Sequence, residues 1–124
     1  MLEQLDFSKL GNLVVILIQD WQTNELLMCG FANREAIVQS LTTGYSHFYS
    51  RSRKTLWKKG GTSGHTQEIK EVFIDCDGDA ILFKVDQKVA ACHTGYKSCF
   101  FRKLTDKGDL EIKGQKMFEP SDVY

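Results

Sequence analysis

Proline is nearly absent, with Pro120 the only one in 124 residues. No proline-rich linker, internal repeat or low-complexity segment divides the chain, and its length suits one domain with an ordinary core. No apolar run approaches the ~20 residues needed to cross a bilayer. The amino-terminal stretch M-L-E-Q-L-D-F-S-K-L-G-N is acidic and mixed rather than basic and then apolar, so it does not read as a signal peptide. A cytoplasmic location is therefore expected. A basic excess is also missing: Lys plus Arg and Asp plus Glu both number 16, for a formal net charge of zero. Dedicated nucleic-acid binders usually carry such an excess, so the balance counts against that class while leaving room for a local patch. Cysteines number only four. Disulfides are rare in the cytosol, and metal binding or catalysis is the better use for these thiols.

What is present reads as a mixed fold. Residues 13–18 form a short apolar run expected to be a buried strand, with 25–31 as its partner. Cys29 falls inside that second strand and is expected to be a small buried hydrophobe. Asn33 suits a helix N-cap and Gly44 the residue that ends the helix. Between them Ile37, Val38 and Leu41 give one apolar face, expected to cover the sheet. Residues 45–50 alternate aromatic and polar and read as a strand, with His47 in a structural role. Residues 68–74 and 80–85 flank Asp77-Gly78, a pair that favours a type I′ hairpin turn. A strand is also expected over 98–104. The sum is an α+β single domain over residues 1–124, a mostly antiparallel sheet with a covering helix.

Residues 51–65, R-S-R-K-T-L-W-K-K-G-G-T-S-G-H, change character and read as a basic, glycine-rich loop. Arginine, lysine, hydroxyl and glycine amide donors together suit phosphate. The spacing is not that of a Walker A loop. A merely solvated basic loop is an equally good reading of composition alone.

Two groups of metal-binding side chains lie further on. Cys76, Cys92 and Cys99 are soft donors suited to zinc, whereas Asp75, Asp77 and Asp79 suit a hard ion such as magnesium. The cysteine spacing lacks the C-x₂-C of common structural zinc sites. Three ligands with one position open is the catalytic arrangement, in which zinc lowers the pKa of water to ~7. His93 is either a fourth ligand or a base beside the metal, and spacing does not choose between them. The D-C-D-G-D run begins like an EF-hand loop, but Ala80 stands where that loop needs glycine, and an apolar strand follows. A plain polar hairpin tip remains open as well. Three carboxylates this close repel one another unless exposed or neutralised by a cation.

Four blocks carry a resemblance: M-C-G-F-A-N-R-E-A from Met28, S-R-S-R-K-x-L-W-K-K-G from Ser50 with T-S-G-H from Thr62, D-C-D-G-D from Asp75, and A-C-H-T-G-x-x-S-C-F-F from Ala91. In these the chain resembles the phosphoribosyl-AMP cyclohydrolase family of histidine biosynthesis, in its monofunctional form. The resemblance implies hydrolysis of the N1–C6 bond of the adenine ring of 1-(5-phosphoribosyl)-AMP. It implies zinc (Zn2+) on Cys76, Cys92 and Cys99, magnesium (Mg2+) on Asp75, Asp77 and Asp79, and an intertwined homodimer. In that dimer Cys76 comes from one subunit and Cys92 and Cys99 from the other. The family usually has glutamate where Gly61 stands here. With this chemistry His93, whose type has an unperturbed pKa near ~6.5, is the candidate for moving protons. Arg51, Arg53, Thr62 and Ser63 are expected to hold a substrate phosphate. A reading from another class makes the chain a zinc-stabilised dimeric module for single-stranded nucleic acid, using Tyr45, Phe48, Tyr49 and the basic loop.

Overall fold

A computed structural model describes residues 2–124. Its strands are β1 (Val14–Asp20), β2 (Leu26–Ala32), β3 (His47–Ser50), β4 (Thr55–Lys58), β5 (Gln67–Ile74), β6 (Ala80–Gln87), β7 (Arg102–Leu104) and β8 (Leu110–Ile112), with one α-helix, α1 (Arg34–Thr43). The main sheet has the order β2-β1-β6-β5. Its outer pairs, β1–β2 and β5–β6, are antiparallel, and the central β1–β6 pair is parallel. β3 with β4 and β7 with β8 form separate antiparallel hairpins. The fold is thus α+β and mostly antiparallel. Among the described residues no helix is long and apolar enough to cross a membrane.

One face of the main sheet is buried because its strands alternate. Val14, Ile16 and Ile18 of β1 and Ile81, Phe83 and Val85 of β6 all point into the core. The β3–β4 hairpin and α1 close over them, with Phe48 and Trp57 stacked at 4.9 Å between ring centres. Asn33 caps α1 by accepting from the Ala36 amide at 2.9 Å, and Gly44 ends it at φ 81, where glycine meets no steric penalty.

Several expectations are corrected. Helix α1 buries Ala36, Ile37 and Ser40, while Val38 and Leu41 are exposed. The Ser40 hydroxyl decides this orientation, since it donates to Ala36 O at 2.8 Å and accepts from the His47 amide at 2.8 Å. Cys29 is exposed, not buried, because it pairs with Leu17 on the outer face of the sheet. The basic stretch 51–65 is not all loop. Its T-L-W-K segment becomes β4, drawn in by the Phe48–Trp57 contact. The strand expected over 98–104 shrinks to β7, since the Ser98 hydroxyl donates to Leu26 O and the Cys99 amide to Leu27 O, both at 2.7 Å. Those bonds hold residues 98–99 against the start of β2.

The β5–β6 connection is also wider than a type I′ turn. Of Asp77 and Gly78 only Gly78 has positive φ, at 77°. Asp75 Oδ1 gathers the amides of Gly78, Asp79 and Ala80 at 2.9, 3.1 and 3.3 Å, and this closes a loop over residues 75–79. A Cβ at position 78 would lie 2.4 Å from Gln4 O, so glycine is required twice over.

Candidate active site and metal centre

The segment after β4 bends back on itself through backbone bonds from Gly61 to Lys58 O and from Gly64 to Gly60 O. This makes one wall of a cavity of about 310 Å³. Arg53, Thr62, Ser63 and His93 line it together with Trp57, Lys58, Lys59, Gly60, Gly61 and Tyr124. Four of the residues singled out in the sequence therefore meet in one place. Arg51 sits in an adjoining depression with Phe31 and Tyr49, its guanidinium 3.9 Å from the centre of the Phe31 ring. Arg53 borders both depressions. His93 is exposed at the cavity edge.

His65, by contrast, is buried with its ring edge-on to Phe118 at 4.7 Å. Burial, then the nearby charges of Lys59 and Lys88, push its pKa down. It anchors the loop from behind. His47 is likewise buried, its Nδ1 2.8 Å from Tyr45 O.

Cys92 is buried, and its sulfur lies 2.9 Å from the Thr94 hydroxyl. Cys99 is exposed by accessible area, yet enough protein surrounds its sulfur that desolvation is the largest influence on it. That burial and then the adjoining Cys92 thiol push its pKa up to about 12, against a smaller opposing pull from Lys59. Lys59 donates to the Ala91 carbonyl, directly before Cys92. Burial pulls the Lys59 pKa down while Cys99 and Cys92 raise it. Cys76 stands apart on the exposed tip between β5 and β6.

At that tip Asp75, Asp77 and Asp79 bring carboxylate oxygens within 4.8 Å of one another. They are the only group of three or more potential ligands so arranged among the described residues. Lys9 approaches Asp77 at 2.9 Å and Asp79 at 3.6 Å. Its hydrogen bond is the main reason the Asp77 pKa falls to about 2, whereas Asp79 is pushed up chiefly by sharing a hydrogen bond with Asp77. One ammonium leaves most of this negative charge unmatched, so the oxygen donors fit a hard divalent ion. The Cys92 and Cys99 thiols, away from this tip, suit a thiophilic one.

A family profile described as phosphoribosyl-AMP cyclohydrolase matches residues 28–101. A protein of that name from Methanosarcina acetivorans is 54% identical across 97% of this chain and 98% of its own length. The chain belongs to the phosphoribosyl-AMP cyclohydrolase family. Within the same family, relatives from Methanosarcina mazei and Desulforapulum autotrophicum are each 50% identical, covering 97% and 98% of this chain and 99% and 98% of their own.

For this cyclohydrolase family member, sequence reasoning missed Trp57 and Tyr124 at the cavity and Lys9 at the aspartates. Lys59 carried a weak signal, as one of two lysines before Gly60. Tyr124 carried none, since no periodic pattern runs through the residues before it. The alternative nucleic-acid platform loses its central aromatic: Phe48 is 1% exposed, and Lys58 lies over the Tyr45 ring at 4.8 Å.

Proposed function

We propose that this chain hydrolyses the N1–C6 bond of the adenine ring of 1-(5-phosphoribosyl)-AMP, giving the phosphoribosyl-formimino imidazole carboxamide nucleotide. The observation that carries the reading is the cavity in which Arg53, Thr62 and Ser63 face His93, beside the loop that bears Cys92. In the reaction a water oxygen bonds to C6, the C6–N1 bond breaks, and the carboxamide forms as N1 takes up a proton. His93, exposed at the cavity edge, would hand over that proton. Arg53, Thr62 and Ser63 grip one phosphate, with Arg51 at the neighbouring depression extending the basic surface.

Cys92 and Cys99 would hold zinc together with a third thiol, Cys76. When bound, zinc acts as a Lewis acid that makes water a competent nucleophile near neutral pH. Cys76 lies on a separate tip of the same chain, and two sulfurs are too few for a catalytic zinc site. A homodimer in which one copy's Cys76 completes the other's pair resolves this. Asp75, Asp77 and Asp79 would hold magnesium and through it the second phosphate, as that ion commonly pairs carboxylates with substrate phosphates.

The test is to mix zinc-loaded protein with phosphoribosyl-AMP and follow the ultraviolet change as adenine opens, with and without a chelator. Chelator-sensitive turnover is expected. A folded, zinc-loaded sample without turnover rejects the reading.

A further inference from the structure

Among the described residues, Lys59 both lines the cavity and reaches the cysteine loop. Its side chain lines the cavity beside His93 and Thr62, while its ammonium donates to the carbonyl of Ala91. Its own amide is tied to Ser46 O at 3.0 Å, which fixes the base of the side chain to the segment entering β3. Burial lowers the Lys59 pKa, and negative charge on Cys99 or Cys92 would work the other way. A lysine held at both ends in this way is poorly suited to be a free phosphate hook. It is well suited to hold a loop in register against a scaffold.

We propose that Lys59 is a positioning residue that sets the cysteine pair for metal binding, by fixing the backbone beside Cys92 from the wall of the substrate cavity. The proposal rests on the reading above that Cys92 and Cys99 hold zinc. The physical reason is general. Groups that orient metal ligands without touching the metal typically change metal affinity or activity by about 10–100-fold when removed. Here the orienting group is a hydrogen bond to the carbonyl that precedes the ligand.

The experiment uses cobalt(II) as the probe, because thiolate-to-cobalt charge transfer gives an absorption band that reports sulfur coordination directly. Metal-free wild type, Lys59→Met, Lys59→Arg and Arg53→Ala are titrated with cobalt, and folding of each is checked by circular dichroism. Lys59→Met should bind cobalt more weakly by about 10–100-fold. Lys59→Arg, which keeps a cationic donor, should recover most of that loss, and Arg53→Ala should bind as wild type does. If Lys59→Met fails to fold, Lys59→Gln takes its place in the same comparison. Wild-type affinity in Lys59→Met, or an equal loss in Arg53→Ala, overturns the proposal while leaving the zinc reading intact. Absence of the sulfur band in the wild type overturns both.

Discussion

Lys97 Nζ lies 3.3 Å from Asp20 Oδ2, an ion pair joining the loop that carries Cys92 and Cys99 to the end of β1. Glu25 Oε1 meets the same ammonium at 3.3 Å. Asp20 is buried, and its other oxygen accepts the amides of Gln22 and Thr23 at 2.8 and 3.0 Å. The tie therefore links the cysteine loop to the rigid centre of the sheet, and it should respond to pH in a defined direction.

Burial pushes the Asp20 carboxyl up, but the Thr23 and Gln22 amides and Lys97 together outweigh it, and the net pKa falls below the usual value. A carboxylate with a lowered folded pKa contributes stability above its unfolded value of ~3.9, and that contribution disappears as pH drops through the folded value. Asp20→Asn keeps an acceptor for the two amides and removes the charge. It should cost about 1 kcal/mol at pH 7. The gap in thermal stability between wild type and variant should close progressively below pH ~4. A gap that stays constant into acid would show that the pair contributes nothing.

Arg53→Ala should raise KM by about tenfold or more with little change in kcat, because a phosphate contact made equally in ground and transition states is uniform binding. Steady-state kinetics on phosphoribosyl-AMP decide the matter. An unchanged KM would make Arg53 a solvated surface residue.

Removing the imidazole should act on the other parameter. His93→Ala should lower kcat by roughly 10²–10⁴-fold while metal content is unchanged, the range expected for a lost acid–base group. Near-wild-type kcat with full metal loading would withdraw the role from His93.

The two adjacent glycines of the cavity wall should differ in their tolerance of a side chain. Gly60 has φ 82, and a Cβ there would lie 2.6 Å from the His65 carbonyl carbon. Gly61 has no such φ, and its Cβ would meet only Lys58 O, at 3.3 Å. Gly60→Ala should destabilise by about 1–3 kcal/mol, whereas Gly61→Ala should stay within roughly 0.5–1 kcal/mol of wild type. Denaturant unfolding of both variants measures this. Equal losses would contradict the geometry.

Much of this architecture was legible because local patterns and tertiary packing agree. The apolar run of β1 and the Asn33 and Gly44 signals around α1 each point to the element found, and Asp77-Gly78 marks the β5–β6 connection but not its turn type. The failures have a common origin in contacts between segments far apart in sequence. β4 exists because Trp57 stacks on Phe48, and composition around it spoke only of a basic loop. Ser40, not Leu41, faces inward because a hydroxyl bridges α1 to β3. Cys29 is exposed because its outer sheet face is open in a single chain. At the site, residue types pointed to the aspartate cluster, and Arg53 with the Thr62-Ser63 pair pointed to the cavity. Tyr124 and the tie from Lys59 to the cysteine loop became visible only once the chain was folded around them.

If hydrolysis occurs at a metal site built from two copies of the chain, Cys76 of one copy must work with Cys92 of the other. Cys76→Ala and Cys92→Ala each remove one thiol from the set, and each variant alone should be inactive on phosphoribosyl-AMP. In a dimer formed from one of each, one site carries both lesions and the other carries none. Co-refolding the two variants in equal amounts with zinc should restore about a quarter of the wild-type rate, given random pairing in a two-fold dimer. Folded, zinc-loaded mixtures that remain as inactive as the separate variants would contradict the account.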